Sequence, residues 1–268
     1  MQQSIRFVLC FLLIATTFVC GQFSALDKPV HELSLIQKIN SDSSIRWKAT
    51  TYKKFEGMTL REARKYLGTV IISPINNLPK KKMPKNLKAA SHFDAREKWE
   101  DCIHEIRNQE ECGSCWAFSA SEAFSDRLCI ATNGSVNIVL SPQYMVSCDA
   151  TDYGCDGGYL NNAWNFLANT GIPSDECVPY QSGSGHVPSC SKLNKKCQDG
   201  SDIKLYKVSK KSIANLDSIE DIQKDIQENG SIQSGFSVYK DFFSYKSGVY
   251  HHVTGSLAGG HAIKVIGK

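Results

Sequence analysis

Gln109-Glu110-Glu111-Cys112-Gly113-Ser114-Cys115-Trp116-Ala117-Phe118-Ser119 brings two thiols and a carboxamide together just ahead of an apolar helical pattern. Trp116, Ala120, Ala123, Phe124 and Leu128 recur at spacings of three and four, which predicts a helix from Cys115 to about Cys129 with that face buried. Gly113 and Ser114 form the turn between the thiols. Cys115 then stands at the helix N-terminus, where unpaired N–H groups and the positive end of the dipole favour a thiolate, the nucleophilic form. Three other readings fit the same pair: half of a zinc site, a C-x-x-C dithiol oxidoreductase, or a structural disulfide through Cys115. Zinc needs a second ligand pair of similar spacing, and the sequence has no other C-x-x-C and no H-x-x-x-H, so no metal is expected.

The stretch Gln-x-x-Cys-Gly-Ser-Cys-Trp-Ala-Phe-Ser resembles the active-site motif of papain-like cysteine peptidases. Further stretches resemble the cathepsin B type and follow its order over most of residues 30 to 268. They are Phe93-Asp94-Ala95-Arg96-Glu97-Lys98-Trp99, Ser125-Asp126-Arg127-Leu128-Cys129-Ile130, Cys155-Asp156-Gly157-Gly158-Tyr159, Phe236 to Phe242, Tyr245 to Tyr250, and Gly259-Gly260-His261-Ala262-Ile263. The resemblance implies an α+β papain-like fold of two lobes, helical and antiparallel β, preceded by a propeptide. It implies Cys115 as nucleophile, His261 as general base and acid, and Gln109 in the oxyanion hole. Gly157, Gly158, Leu160 and Ala262 are then substrate-binding, and no cofactor is needed. It also implies disulfides Cys102 to Cys129, Cys112 to Cys155, Cys148 to Cys190, and Cys177 to Cys197.

Working outward, 268 residues with 41% hydrophobic and 22% charged side chains suit a globular chain with a sizeable core. Arg6 precedes the apolar run Phe7 to Val19, too short to span a bilayer comfortably and followed by small and polar residues, so residues 1–21 read as a signal peptide. Its removal takes Cys10 and Cys20 and leaves nine of the eleven cysteines, an odd number that predicts one free thiol in an oxidising compartment. Residues 22–88 read as the propeptide and 89–268 as the peptidase domain. From residue 26 to 88 there are fourteen Lys and Arg against five Asp and Glu, whereas 89–268 has sixteen against twenty-two, so the two parts should attract. A basic segment commonly marks nucleic-acid or membrane partners, but its opposite charge is on the same chain, so neither is expected after signal removal. The expected partners are peptide and protein substrates and the propeptide itself, as an intramolecular inhibitor. Pro79-Lys80-Lys81-Lys82-Met83-Pro84 reads as an exposed linker open to maturation.

Periodicity places short helices at Ser141 to Val146, Gly158 to Ala168 and Asp217 to Glu228, and strands at Ser234 to Tyr239, Gly248 to Val253 and Gly260 to Ile266. His261 is set at a strand start, where Gly259 and Gly260 allow close backbone approach to the cleft. His251 and His252, adjacent on a strand, point to opposite faces and do not suggest a metal. Asn133 and Asn229 open glycosylation sequons.

Three departures from the family carry expectations. Glu110 and Glu111 replace its usual glycine and serine; Glu110 should strain a backbone suited to glycine, and carboxylates pointing inward would oppose an oxyanion. Between Cys177 and Cys190 the occluding loop and its histidine pair are missing and only His186 remains, so the Gly- and Ser-rich segment should move aside and favour endopeptidase action. The chain ends at Lys268, ahead of the family's orienting asparagine, so the β lobe is expected to be incomplete and the domain truncated after the catalytic histidine. The expected function is a cathepsin B-like cysteine endopeptidase made as a secreted or lysosomal zymogen. The alternatives are an impaired or inactive peptide-binding remnant and the dithiol oxidoreductase.

Overall fold

The computed structural model describes residues 24–71, 78–193 and 195–268; the expected signal peptide lies outside them. The N-terminal part begins with α1 (Leu33–Ser41), which buries Leu35 and Ile39 one turn apart. Asn40 next secures the following strand, donating from Nδ2 to the Ala49 carbonyl and accepting the Ala49 N–H at Oδ1, each at 2.9 Å. That strand, β1 (Trp47–Ala49), is held ready to pair. A capping box of Thr59 and Glu62 opens α2 (Leu60–Ala63).

The helical lobe contains α3 (Ala95–Lys98), α4 (Cys115–Ala131), α5 (Pro142–Cys148), α6 (Leu160–Asn169) and α7 (Cys190–Leu193). Sequence predicts one buried face for α4, yet every residue from Cys115 to Asp126 is buried. The reason is that α5 and α6 pack on α4 from one side and the β lobe from the other. Ser141 caps α5 by accepting the Tyr144 N–H at 3.1 Å. Trp116, Ala120, Leu140, Met145, Ala163 and Leu167 form the centre of this core.

The β lobe follows α8 (Ile219–Asn229), which is capped by Ser218. Strand β2 (Ile232–Tyr239) pairs antiparallel with β4 (Leu257–Val265), placing Phe236 opposite His261. His261 therefore lies in the middle of a strand, four residues in, rather than at its start. The strand expected at Gly248 to Val253 is displaced to β3 (Tyr245–Gly248). Gly248 ends it with φ +95, and buried Asp241 then captures the Val253 and Thr254 N–H groups at 2.7 and 3.1 Å, withdrawing them from any ladder.

The partner of β3 is β1, antiparallel with Trp47 opposite Gly248. The N-terminal part thus adds a strand to the β lobe. Trp47 is 1% exposed. It packs among Leu35, Ile39, Tyr245 and Tyr250 and donates its indole N–H to the His251 carbonyl at 3.0 Å.

Candidate active site

Cys115 is the first residue of α4, and its sulfur is fixed from both directions along the chain. Cys112 is bonded to Cys155, and the Gly113 N–H donates to the Cys155 carbonyl at 2.9 Å. The other disulfides join Cys102 to Cys129, Cys148 to Cys190 and Cys177 to Cys197, the pairs the resemblance implies. Cys115 is the free cysteine among the described residues. With Cys112 bonded elsewhere, the dithiol reading loses its second thiol.

A trench runs between the lobes past this sulfur, and residues 67–70, following a 3-10 turn at Arg64–Tyr66, fill it as an extended strand. Gly158 donates to the Gly68 carbonyl at 2.9 Å and accepts the Val70 N–H at 3.0 Å, while Thr69 donates to Gly260 at 3.1 Å. The helical lobe supplies one edge and β4 the other. Thr69 Oγ1 lies 3.2 Å from Cys115 Sγ. The approach is closest at Gly68, where a Cβ would fall 1.7 Å from the Gly113 carbonyl oxygen, and at Gly260, where one would fall 2.1 Å from that of Thr69.

All the substrate-binding residues expected from sequence meet this trench or its wall. A Cβ on Gly157 would sit 3.0 Å from the Gly68 carbonyl oxygen. Leu160 and the Thr69 methyl flank the same point over Gly235. The Ala262 backbone reaches the sulfur. Gln109 Nε2 donates to the Cys112 carbonyl at 2.8 Å and to that of Tyr66 at 3.1 Å. Tyr180, not foreseen from the sequence, fixes the turn by donating to the Gln109 carbonyl at 2.8 Å and meeting Ser114 Oγ at 3.0 Å.

Covered in this way, the Cys115 thiol and the His261 imidazole are both held toward their neutral forms. Burial pushes the Cys115 thiol up, against the contrary pull of the Thr69 hydroxyl and backbone groups of Ala262, Gly68 and Trp116. The thiolate expected at a helix N-terminus is not favoured here: a dipole contributes at most about 2 kcal/mol, and desolvation outweighs it. Burial, with Lys54 nearby, lowers His261 to about 4. Among the described residues the imidazole makes no hydrogen bond to the thiol, and its buried Nδ1 has no partner.

The two carboxylates in the Cys115 turn are engaged away from the sulfur. Glu111 Oε2 pairs with Lys65 Nζ at 3.0 Å, and Glu110 lies against Gly183. Glu110 does take the left-handed backbone expected to strain it, φ +54, eased by the Asn108 side chain accepting its N–H at 3.0 Å. The segment expected to swing aside is pinned at its base. Gln143 Oε1 accepts the Gln181 and Ser182 N–H groups at 2.7 and 2.9 Å, Ser182 and Gly183 are buried, and the tip at Ser184 to His186 is exposed.

A buried ionic network, also unforeseen, ties the helix bearing Cys115 to the strand bearing His261. Lys264 Nζ is 3.0 Å from Asp126 and 4.0 Å from Glu122, and it donates to the His104 carbonyl at 2.9 Å. Asp126 also accepts from Ser231 at 2.7 Å and contacts His104 Nδ1 at 2.9 Å. Burial pushes Glu122 up to about 7. Of the two sequon asparagines, Asn133 is exposed on a turn, whereas Asn229 donates its amide to Asp225 at 2.9 Å.

The papain family cysteine protease description matches residues 89–268. The chain is 42% identical over 265 residues to cathepsin B-like CP3 of Giardia intestinalis, covering 96% of this chain and 83% of that protein. It is 41% identical over 200 residues to cathepsin B of Dictyostelium discoideum, covering 69% and 62%. Among solved structures, procathepsin B S9 of Trypanosoma congolense superposes with a TM-score of 0.80 at 32% identity, covering 90% of this chain and 84% of that one.

Proposed function

The chain belongs to the papain family of cysteine proteases, and on that premise we propose that it is the zymogen of a cathepsin B-like endopeptidase using Cys115 and His261. The observation that carries this reading is the strand at residues 67–70, hydrogen-bonded to Gly158 and Gly260 while its Thr69 hydroxyl occupies the space at the sulfur. A substrate backbone can use the same edges, and nothing can reach Cys115 until that strand leaves. Residues 22–88 are then the propeptide and 1–21 the signal peptide, which directs the product to a secreted or lysosome-like destination.

Once uncovered, His261 takes the Cys115 proton and the thiolate attacks the peptide carbonyl carbon. The tetrahedral oxyanion is held by the Gln109 amide and the Cys115 N–H. Gln109 Nε2 already donates to the carbonyl of Tyr66, which leads into the covering strand, so the donor is within reach of a chain in the trench. Collapse breaks the C–N bond as the imidazolium protonates the leaving amine, and water, deprotonated by His261, hydrolyses the thioester. Removing one oxyanion donor costs about 10²- to 10³-fold in rate, the expectation for Gln109→Ala.

An impaired, peptide-binding reading is favoured by one observation, the unpartnered His261 Nδ1. An imidazole without an orienting group can turn from the sulfur. The experiment that separates the two is hydrolysis of an internally quenched peptide after removal of the N-terminal part, with Cys115→Ala as control and labelling by a thiol-directed epoxide alongside. The proposal expects turnover and labelling, both lost in Cys115→Ala. Turnover that survives the substitution refutes the assigned nucleophile, and peptide binding without turnover or labelling favours the impaired reading.

A further inference from the structure

We infer that Glu111 makes the leaving-group side of the cleft select a lysine or arginine, an inference that rests on the peptidase reading above. The covering strand serves as a cast of the groove. On the side of Cys115 walled by Gly157, Gly158 and Leu160, it presents Gly68 to Val70. Beyond the sulfur, along Gln109 to Glu111, it presents charge instead. Lys65 Nζ is 3.0 Å from Glu111 Oε2, the Tyr66 hydroxyl donates to Glu111 Oε1 at 3.4 Å, and Lys54 Nζ stands 3.8 Å from the Tyr66 ring centre.

The carboxylate is on a firm base. The Glu111 N–H donates to the Gly183 carbonyl at 2.8 Å, and the next residue is tied by the Cys112 to Cys155 disulfide. Its side chain keeps half its surface open, at 52%. Glu110 adds a second carboxylate one residue earlier, packed on Gly183. Both cations at Glu111, Lys65 and Lys54, leave with the N-terminal part. Among the described residues, a neighbouring basic group that stays is His186, exposed one residue past Gly185, whose Cβ position lies 3.5 Å from the Glu111 carbonyl oxygen.

Departure of the cast therefore exposes a fixed, uncompensated carboxylate on the wall along which the amine half of a substrate runs. A basic side chain within three residues after the cut restores the pair with Lys65's geometry, and an acidic one meets like charge. A solvent-exposed pair of this kind changes an equilibrium by roughly two- to fivefold.

The test uses the full chain matured by one cut in the Lys80 to Lys82 stretch. Internally quenched peptides share one acyl half and carry Lys, Gln or Glu in turn at the first three leaving-side residues. The expected order of kcat/KM is Lys over Gln over Glu at one position or more, each step about two- to fivefold. It should collapse in Glu111→Gln and invert in Glu111→Lys. No order, or an order that Glu111→Gln leaves intact, overturns the inference. If the Gln peptide is not cleaved at all, the peptidase reading is what has failed, and a binding arm decides this one. In Cys115→Ala cut at the same place, the Lys peptide should displace the N-terminal part at about two- to fivefold lower concentration than the Gln peptide; equal displacement overturns it.

Discussion

Acidification from pH 7 to 4.5 should release the N-terminal part, with His261 setting the size of the effect. Under the strand, burial and Lys54 hold its imidazole at about 4; uncovered, an ordinary histidine titrates near about 6.5. The covered state therefore resists protonation. Because the covered pKa is the lower one, the strand's hold is complete above about 6.5 and is lost progressively as pH falls from there toward 4. At pH 4.5 the loss relative to pH 7 is about 2 to 3 kcal/mol, on the order of fiftyfold in dissociation constant. Three carboxylates on the same boundary are held below their ordinary range. Asp221 is lowered to about 2 by the Ser218 hydroxyl and the Met83 N–H. Glu111 is lowered by Lys65, and Asp225, despite burial, by Arg127 and Lys81. The assay is dissociation of the N-terminal part from Cys115→Ala cut once at Lys80 to Lys82, at constant ionic strength, with and without His261→Gln. A constant that is flat from pH 7 to 4.5, or one that moves equally in His261→Gln, refutes the reasoning.

Two further predictions follow from contacts elsewhere. Gly68→Ala puts a methyl 1.7 Å from the Gly113 carbonyl oxygen, a backbone atom held by the neighbouring disulfide, so the strand must lift. The cost of such overpacking is about 1 to 3 kcal/mol, and binding of the N-terminal part measured in the same cut chain should weaken accordingly. Lys264→Met takes the lysine from Asp126, whose side chain is 0% exposed and keeps its Ser231 and His104 contacts. Breaking a buried pair costs about 3 to 5 kcal/mol, which should lower the melting temperature by about 10 °C. Adding Asp126→Asn should recover part of that loss, and a strictly additive double variant would count against the network.

From the sequence alone came the candidate site residues, through family likeness, and the order of the helices, through local periodicity. The Gln109 to Ser119 stretch and Gly259-Gly260-His261 were legible as a family motif, and the period-three-and-four pattern located α4, α5, α6 and α8 to within a few residues. The odd cysteine count pointed to one free thiol, although the pairing came from family likeness. What only the tertiary structure decided depends on residues far apart in the chain. The charge balance foretold attraction between the two parts, but not the docking of Lys80, Lys81 and Lys82 on Asp217, Asp221 and Asp225. Strand β3 sits where Asp241 and β1 put it, not where alternation alone suggests. The same holds at Cys115: a helix N-terminus is legible in sequence, but the burial that pushes its thiol up belongs to the assembled structure, in which Thr69, more than forty residues earlier, lies against the sulfur. Glu122 and Asp126 read as the polar side of a helix and are buried because Lys264 meets them from the other lobe. Burial and charge pairing are properties of the assembled cleft, so no window of neighbouring residues contains them.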